Sequence, residues 1–158
     1  CVAAKAFCFF LGWGGHNEDY SEALTWFSKG IHSGKNFAAC LAIKGFLYLN
    51  GYGVKVDNKK GVRLIKMAVT LDHAWAQNML GQYYMEGDVV EKNVSKARKL
   101  FNIAATRGYC KAQYNLGNLY LCGDDTQINQ NEGLKWMIRA ARQDHWKARE
   151  RLGWNSQN

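Results

Sequence analysis

Glycine returns every 36 residues in this chain, at Gly45, Gly81, Gly117 and Gly153, and a whole pattern returns with it. Leu80, Leu116 and Leu152 precede the last three glycines, with Lys44 before the first. Three residues after the first three comes Tyr48, Tyr84 or Tyr120, and three further on Gly51, Gly87 or Gly123. A short polar loop leads to Asp57, Asn93 or Asn129, and four residues later to Gly61, Ala97 or Gly133. Large pairs follow (Leu64/Ile65, Leu100/Phe101, Trp136/Met137), then small pairs (Ala68/Val69, Ala104/Ala105, Ala140/Ala141). The unit closes on Ala76, Ala112 and Ala148, with Cys40 in the corresponding first position. A repeat of this length restricts the fold to stacked supersecondary units, because none can cover its apolar face alone.

Each column has a physical reason. Ala76, Leu80, Gly81 and Tyr84 mark one face of a first helix, A. Glycine inside a helix costs about 1 kcal/mol relative to alanine, so its regular return implies a neighbouring helix packed on that backbone. The next glycine suits a left-handed turn ending helix A. Asp57, Asn93 and Asn129 are preferred N-caps for a second helix, B, and Gly34 and Gly108 are stops for it, replaced by Asp72 and Asp144 elsewhere. Proline is absent. The chain is therefore predicted to be all-α, with helices starting near Cys40, Ala76 and Ala112 and no β-sheet.

The pattern predicts one repeat domain over 1–158: a degenerate first repeat (1–39), repeats at 40–75, 76–111 and 112–147, and a C-terminal capping helix (148–158). In the first unit Asp19, Ala23, Trp26/Phe27, Gly30/Ile31, Gly34 and Ala38 reproduce helix B, whereas helix A, about Val2 to Leu11, matches only at Ala4 and Gly15. It reads either as an N-terminal cap or as the remnant of an array trimmed upstream.

A hydrophobic fraction of 47% with 22% charged residues fits a folded globule and excludes a disordered chain. The longest apolar stretch, Val2 to Trp13, is interrupted by Lys5 and falls short of the roughly 20 residues that span a bilayer. The five cysteines, Cys1, Cys8, Cys40, Cys110 and Cys122, do not recur with the repeat and are expected to be free thiols. A chain that starts at Cys1 rather than methionine reads as trimmed. A cytoplasmic location is favoured, and an exported one stays open if a signal was removed.

Chemistry-bearing residues do not assemble into a catalytic pattern. His16, His32, His73 and His145 lack metal-ligand spacing, and His73 and His145, sharing one repeat position, read as solvent-facing turn residues. Gly12, Gly14 and Gly15 lack the lysine and hydroxyl of a phosphate loop, and the acidic pairs Glu18/Asp19 and Asp124/Asp125 fall on loop tips. No enzyme activity, metal site or cofactor is expected. Tyr48, Tyr84, Tyr120, Trp26, Phe101 and Trp136 occupy repeat columns and are expected in the core.

Projecting helix A forward from its core face gives a nearly uncharged column that mixes amides and aromatics, as binding surfaces do. It reads Ala42/Phe46/Leu49, Asn78/Gln82/Met85, Tyr114/Asn118/Leu121, then Glu150 and Trp154, flanked by Trp75, Met79 and Asn115. The candidate partner-binding residues are Phe46, Leu49, Trp75, Asn78, Gln82, Met85, Tyr114, Asn118, Leu121 and Trp154. The formal net charge of +8 gathers instead on the B helices, at Lys59, Lys60, Arg63, Lys66, Lys96, Arg98, Lys99, Lys135, Arg139 and Arg142, while the A segments hold only Lys44 and Glu86. Binding of single-stranded nucleic acid interleaves aromatics with basic groups, and here the two are read on different helices.

The pattern A-x-x-x-L-G-x-x-Y-x-x-G, followed by a loop, an N-cap, a small residue and a double-alanine helix, resembles the Sel-one-like repeat family, relatives of the tetratricopeptide repeats. The resemblance runs from about residue 19 to 154 and is sharpest over Ala76 to Lys111 and Ala112 to Lys147. It implies an α-solenoid, a right-handed superhelix of antiparallel helix pairs, mostly bacterial, whose concave face binds another protein. Implied roles are an adaptor in a regulatory or envelope pathway, a host-interaction factor, or a toxin-neutralising immunity protein, as a monomer or weak oligomer. The alternative is a nucleic-acid-binding protein using its basic surface, with an enzyme third. A cysteine-rich branch of the family bridges helices A and B, and the cysteines here do not follow its spacing.

Overall fold

In a computed structural model of the chain, the described residues are 19–33, 37–122 and 128–154. They form helices α1 (Tyr20–Ser33), α2 (Phe37–Asn50), α3 (Asn58–Thr70), α4 (Ala74–Glu86), α5 (Val94–Thr106), α6 (Cys110–Cys122), α7 (Gln130–Arg142) and α8 (Trp146–Arg151). No strand occurs among the described residues. The expected helix from Val2 to Leu11 lies outside them, as do Cys1, Cys8, Gly12, Gly14, Gly15, His16, Glu18, Gly34, Gly123, Asp124 and Asp125.

Helices start where the repeat supplies caps. At one repeat position, Oδ1 of Asp19, Asp57 and Asn93 accepts from the backbone N–H of Glu22, Lys60 and Lys96, each at 2.9 Å, and Asn129 accepts from Glu132 at 3.1 Å. The residue bearing each of the last three caps is also tied back to helix A. Asp57, Asn93 and Asn129 donate their own N–H to the carbonyls of Tyr48, Tyr84 and Tyr120 at 3.0, 2.8 and 3.0 Å. One residue thus closes the loop and opens the next helix.

The stops recur as well. His73, Tyr109 and His145 donate their N–H to the carbonyls of Ala68, Ala104 and Ala140, while Asp72, Gly108 and Asp144 donate to Val69, Ala105 and Ala141, three Schellman motifs in one register. The motif needs a left-handed residue, and φ is 61° at Asp72, 87° at Gly108 and 62° at Asp144. Aspartate does stand in for glycine there. The A helices begin two or three residues ahead of the expected starts; α4 and α6 do so because the Schellman motif before each ends so tightly that the next helix follows after a single residue.

Helices pack tightly against one another at the repeat glycines. A Cβ on Gly45 would lie 2.8 Å from Ile65 Cγ1 and 2.9 Å from the Gly61 carbonyl of α3, and one on Gly117 would lie 3.1 Å from the Gly133 carbonyl of α7. In the middle repeat Gly81 lies against the ring of Phe101 instead. The chain packs as two compact units, 1–76 and 77–158, the division falling inside α4. Ala23 and Phe27 of α1 meet Cys40, Ile43 and Leu47 of α2 in the core of the first. Met137, Ala140, Ala141 and Ala148 form a core of the second.

Two of the expected core aromatics, Phe101 and Trp136, are buried. Trp26 and the tyrosines at 48, 84 and 120 are only half-buried. Cations lie over three of these four rings: Lys60 sits 4.2 Å above Tyr48, Lys96 5.4 Å above Tyr84 and Lys29 4.2 Å above Trp26. The amphipathic stem of lysine can cover a ring while its ammonium stays in water.

Candidate functional site

In the first unit, Phe46 of α2 and Trp75 of α4 lie with ring centroids 6.0 Å apart. Two further rings join them: Tyr52 is 5.9 Å from Phe46, and Tyr20 stacks on Tyr52 at 4.9 Å. Sequence reasoning passed over Tyr20 and Tyr52. The signal was available in the columns, since Tyr52 stands where the other repeats carry Asp88 and Asp124. Leu49 is placed differently from the projected face. Its side chain comes within 2.6 Å of where a Cβ on Gly61 would be, filling the gap that glycine leaves inside its own helix pair.

In the second unit the amides form a chain. Asn115 Nδ2 donates to Asn78 Oδ1 at 2.9 Å, and Asn78 Nδ2 donates to Gln82 Oε1 at 3.1 Å. Asn78 is buried and acts from beneath, orienting Gln82, which is exposed. Gln82 and Asn115 border two grooves of about 310 Å³ each. Met85, Glu86, Asn118, Cys122 and Arg151 line the first, where Arg151 Nη1 donates to Asn118 Oδ1 at 2.6 Å and Nη2 to Cys122 Sγ at 2.7 Å. Lys111, Tyr114, His145, Trp146 and Lys147 line the second.

Of the candidates in this unit, Gln82, Met85, Tyr114 and Asn118 therefore come together on grooves. Leu121 packs against Gly133 as Leu49 does against Gly61, and Trp154 is 43% exposed but lines neither groove. Met79, expected to flank the face, is core. Sequence projection missed Arg151 and the basic residues of the second groove. The expected start of helix A near Ala112 leaves Lys111 outside it, whereas α6 begins at Cys110. Charge and aromatics are thus less separated than the sequence suggested.

The histidines also differ from expectation. His73 and His145 are half-buried N-caps whose Nδ1 atoms accept from the N–H of Ala76 and Ala148, each at 3.4 Å. His145 stacks on Tyr114 with centroids 4.5 Å apart. Burial holds the His73 imidazole below its ordinary pKa, and burial, followed by Lys111 and Lys147, does the same for His145. A neutral ring is what an acceptor requires. Cys40, Cys110 and Cys122 are free thiols. Among the described residues no three His, Cys, Asp or Glu side chains are grouped to hold a metal, and no helix is long and apolar enough to cross a membrane.

The Sel1 repeat signature matches residues 3–35, 41–73, 76–109 and 110–145, and the chain belongs to the Sel1 repeat family. Among solved structures, a Sel1 repeat protein from Oxalobacter formigenes is similar over 96% of this chain, with a TM-score of 0.86 and 22% identity. The protein c5321, a protective antigen of uropathogenic Escherichia coli strains with an SLR fold, is similar over 97%, with a TM-score of 0.83 and 27% identity. Cysteine rich protein B of Helicobacter pylori is similar over 85% of this chain and 97% of its own, with a TM-score of 0.61 and 20% identity. The chain spans 61% of the Oxalobacter protein and 32% of the E. coli protein. No curated protein matches it in sequence.

Proposed function

We propose that this protein is an interaction scaffold that binds a partner protein, through Phe46 and Trp75 in its first unit and through Gln82, Met85, Tyr114 and Asn118 in its second. The observation that carries this reading is the hydrogen-bonded chain from Asn115 through Asn78 to Gln82. Amides fixed before binding lose little freedom on meeting a partner, and they offer donors and acceptors suited to peptide groups. Aromatic and Met side chains beside them supply the area in which interface energy concentrates. Membership of a repeat family built as stacked helix pairs supports the same reading, and the bacterial origin of the solved neighbours supports a bacterial setting. No catalytic step is assigned to any residue.

The test is affinity capture from bacterial lysate, comparing the protein with a variant carrying Phe46→Ala, Gln82→Ala, Tyr114→Ala and Asn118→Ala. The partner is expected with the first and lost with the second, both being folded by circular dichroism. Undiminished capture by the variant would exclude these faces.

A further inference from the structure

The second groove brings cations together with amide and aromatic side chains. Lys111 at the start of α6 and Lys147 at the start of α8 border it, and no carboxylate lines it. Both lysines are exposed, and neither is in an ion pair among the described residues. The carboxylate adjacent in sequence, Asp144, is engaged by Arg149. We propose that this groove seats an acidic segment of the partner protein, one carboxylate lying between the ammonium groups of Lys111 and Lys147 and the segment's backbone meeting the side-chain amides of Gln82 and Asn115. The assignment rests on the scaffold reading and names the chemistry of the partner.

Three observations support it. Lys111 and Lys147 line the same groove as His145, and each of them, after burial, helps hold that ring below its usual pKa. Two cations on one groove that no carboxylate lines are under-neutralised, and a carboxylate bound there relieves their repulsion. Each aromatic ring on this groove keeps at most one face for a nucleic-acid base, since His145 stacks on Tyr114 at 4.5 Å and Lys147 lies 5.2 Å above Trp146. A strand of nucleic acid would also call for cations spaced along a track rather than gathered at one groove.

The probes are a fluorescein-labelled, end-capped peptide of alternating Glu and Gly, its Gln/Gly counterpart, and a labelled oligothymidylate, read by anisotropy on the full chain. The Glu peptide is expected to bind about tenfold more tightly than the Gln peptide, and Lys111→Ala with Lys147→Ala to weaken it by about tenfold. Lys59→Ala with Lys66→Ala removes the same charge from α3 and should leave binding within about twofold. Equal loss in both double variants, equal binding of the Gln peptide, or tighter binding of oligothymidylate would overturn the proposal. Partner capture is a separate readout. If the captured partner depends on Gln82 and Tyr114 but not on the two lysines, the acidic assignment falls and the scaffold reading stands. If the Glu peptide binds as expected while capture ignores Phe46, Trp75 and the residues of both grooves, the scaffold reading falls and the anion site stands.

Discussion

Asn115 donates a 2.9 Å hydrogen bond to Asn78, 37 residues earlier, and so ties the first helices of successive repeats together through two amides. Asn78 is 2% exposed, which makes this bond expensive to break from one side only. Asn115→Ala leaves the buried Asn78 oxygen without that donor and is expected to cost about 1–3 kcal/mol. Asn78→Leu with Asn115→Leu removes both partners and should cost less than the sum of the two single changes. Denaturant midpoints of the single and double variants measure the difference. Additive losses would show that the pair does not act as a unit.

The tight contacts at Gly45 and Gly117 set a graded expectation. A methyl on Gly45 would meet both a side chain and a backbone carbonyl inside 3.0 Å, whereas one on Gly117 meets its nearest backbone atom at 3.1 Å. Alanine gains about 1 kcal/mol of helix propensity at either site. Overpacking outweighs that at Gly45, and Gly45→Ala is expected to lose about 1–3 kcal/mol. At Gly117 the two effects nearly cancel, so Gly117→Ala should lose less than Gly45→Ala. A thermal melt that ranks them the other way would contradict the packing seen here.

How far the sequence could be read follows from which forces are local. The N-caps at Asp57, Asn93 and Asn129 and the stops at Asp72, Gly108 and Asp144 act within a few residues of themselves, and the helix ends they predict agree with the structure. The candidate site is set by distant neighbours. Leu49 and Leu121 had the right period for an open face, but the glycines at 61 and 133 leave gaps that only those side chains fill. His145 caps its helix through a local bond to Ala148, but its stacking on Tyr114, thirty-one positions away in the chain, is a contact that local spacing does not announce. Arg151 reaches Asn118 and Cys122 from another helix, a relation that no spacing within one repeat could announce.

The two histidine caps give stability a pH dependence of known sign. Both rings are held below the ordinary value of 6.5, chiefly by burial. Above pH of about 6.5 the imidazoles are neutral folded or unfolded, and the caps contribute fully. As pH falls below it, the unfolded chain takes up protons first, so stability declines until the folded-state pKa is passed. His73→Asn with His145→Asn keeps an N-cap without a titrating group. The melting temperature of the double variant should therefore fall less between neutral pH and pH of about 5 than that of the parent. Identical slopes would remove the histidines from the account.

Thiol reactivity should follow burial. Cys40 is fully buried and its thiol is pushed up by that burial. Cys110 is half-buried and raised mainly by burial, with Asp144 adding to the shift and Lys111 opposing it. Cys122 is exposed, beside Arg151. Brief labelling of the native, non-reduced protein with a maleimide, followed by peptide mapping, should modify Cys122 first, Cys110 more slowly and Cys40 only after unfolding. Failure to label any of the three after unfolding would mean that it is oxidised.

The basic residues of the second helices offer the last discrimination between protein and nucleic acid as partner. Lys96 and Lys99 on α5 and Arg139 on α7 are exposed, away from the residues that line the two grooves of their unit. Charges outside an interface steer encounter without holding the complex, so Lys96→Glu, Lys99→Glu and Arg139→Glu should slow association with a protein partner and flatten its salt dependence. Dissociation should change little. Truncating Gln82, Tyr114 and Asn118 should instead speed dissociation, because central anchors carry most interface energy. With nucleic acid the order inverts: affinity falls steeply with salt as counterions are released, and the three reversals abolish binding. Lys96 and Arg139 also lie over Tyr84 and Trp136, so each variant is first matched to the parent by thermal melting. Surface plasmon resonance with the captured partner and with an oligonucleotide separates the cases. Salt-sensitive oligonucleotide binding that survives the groove truncations but not the charge reversals would sink the scaffold reading.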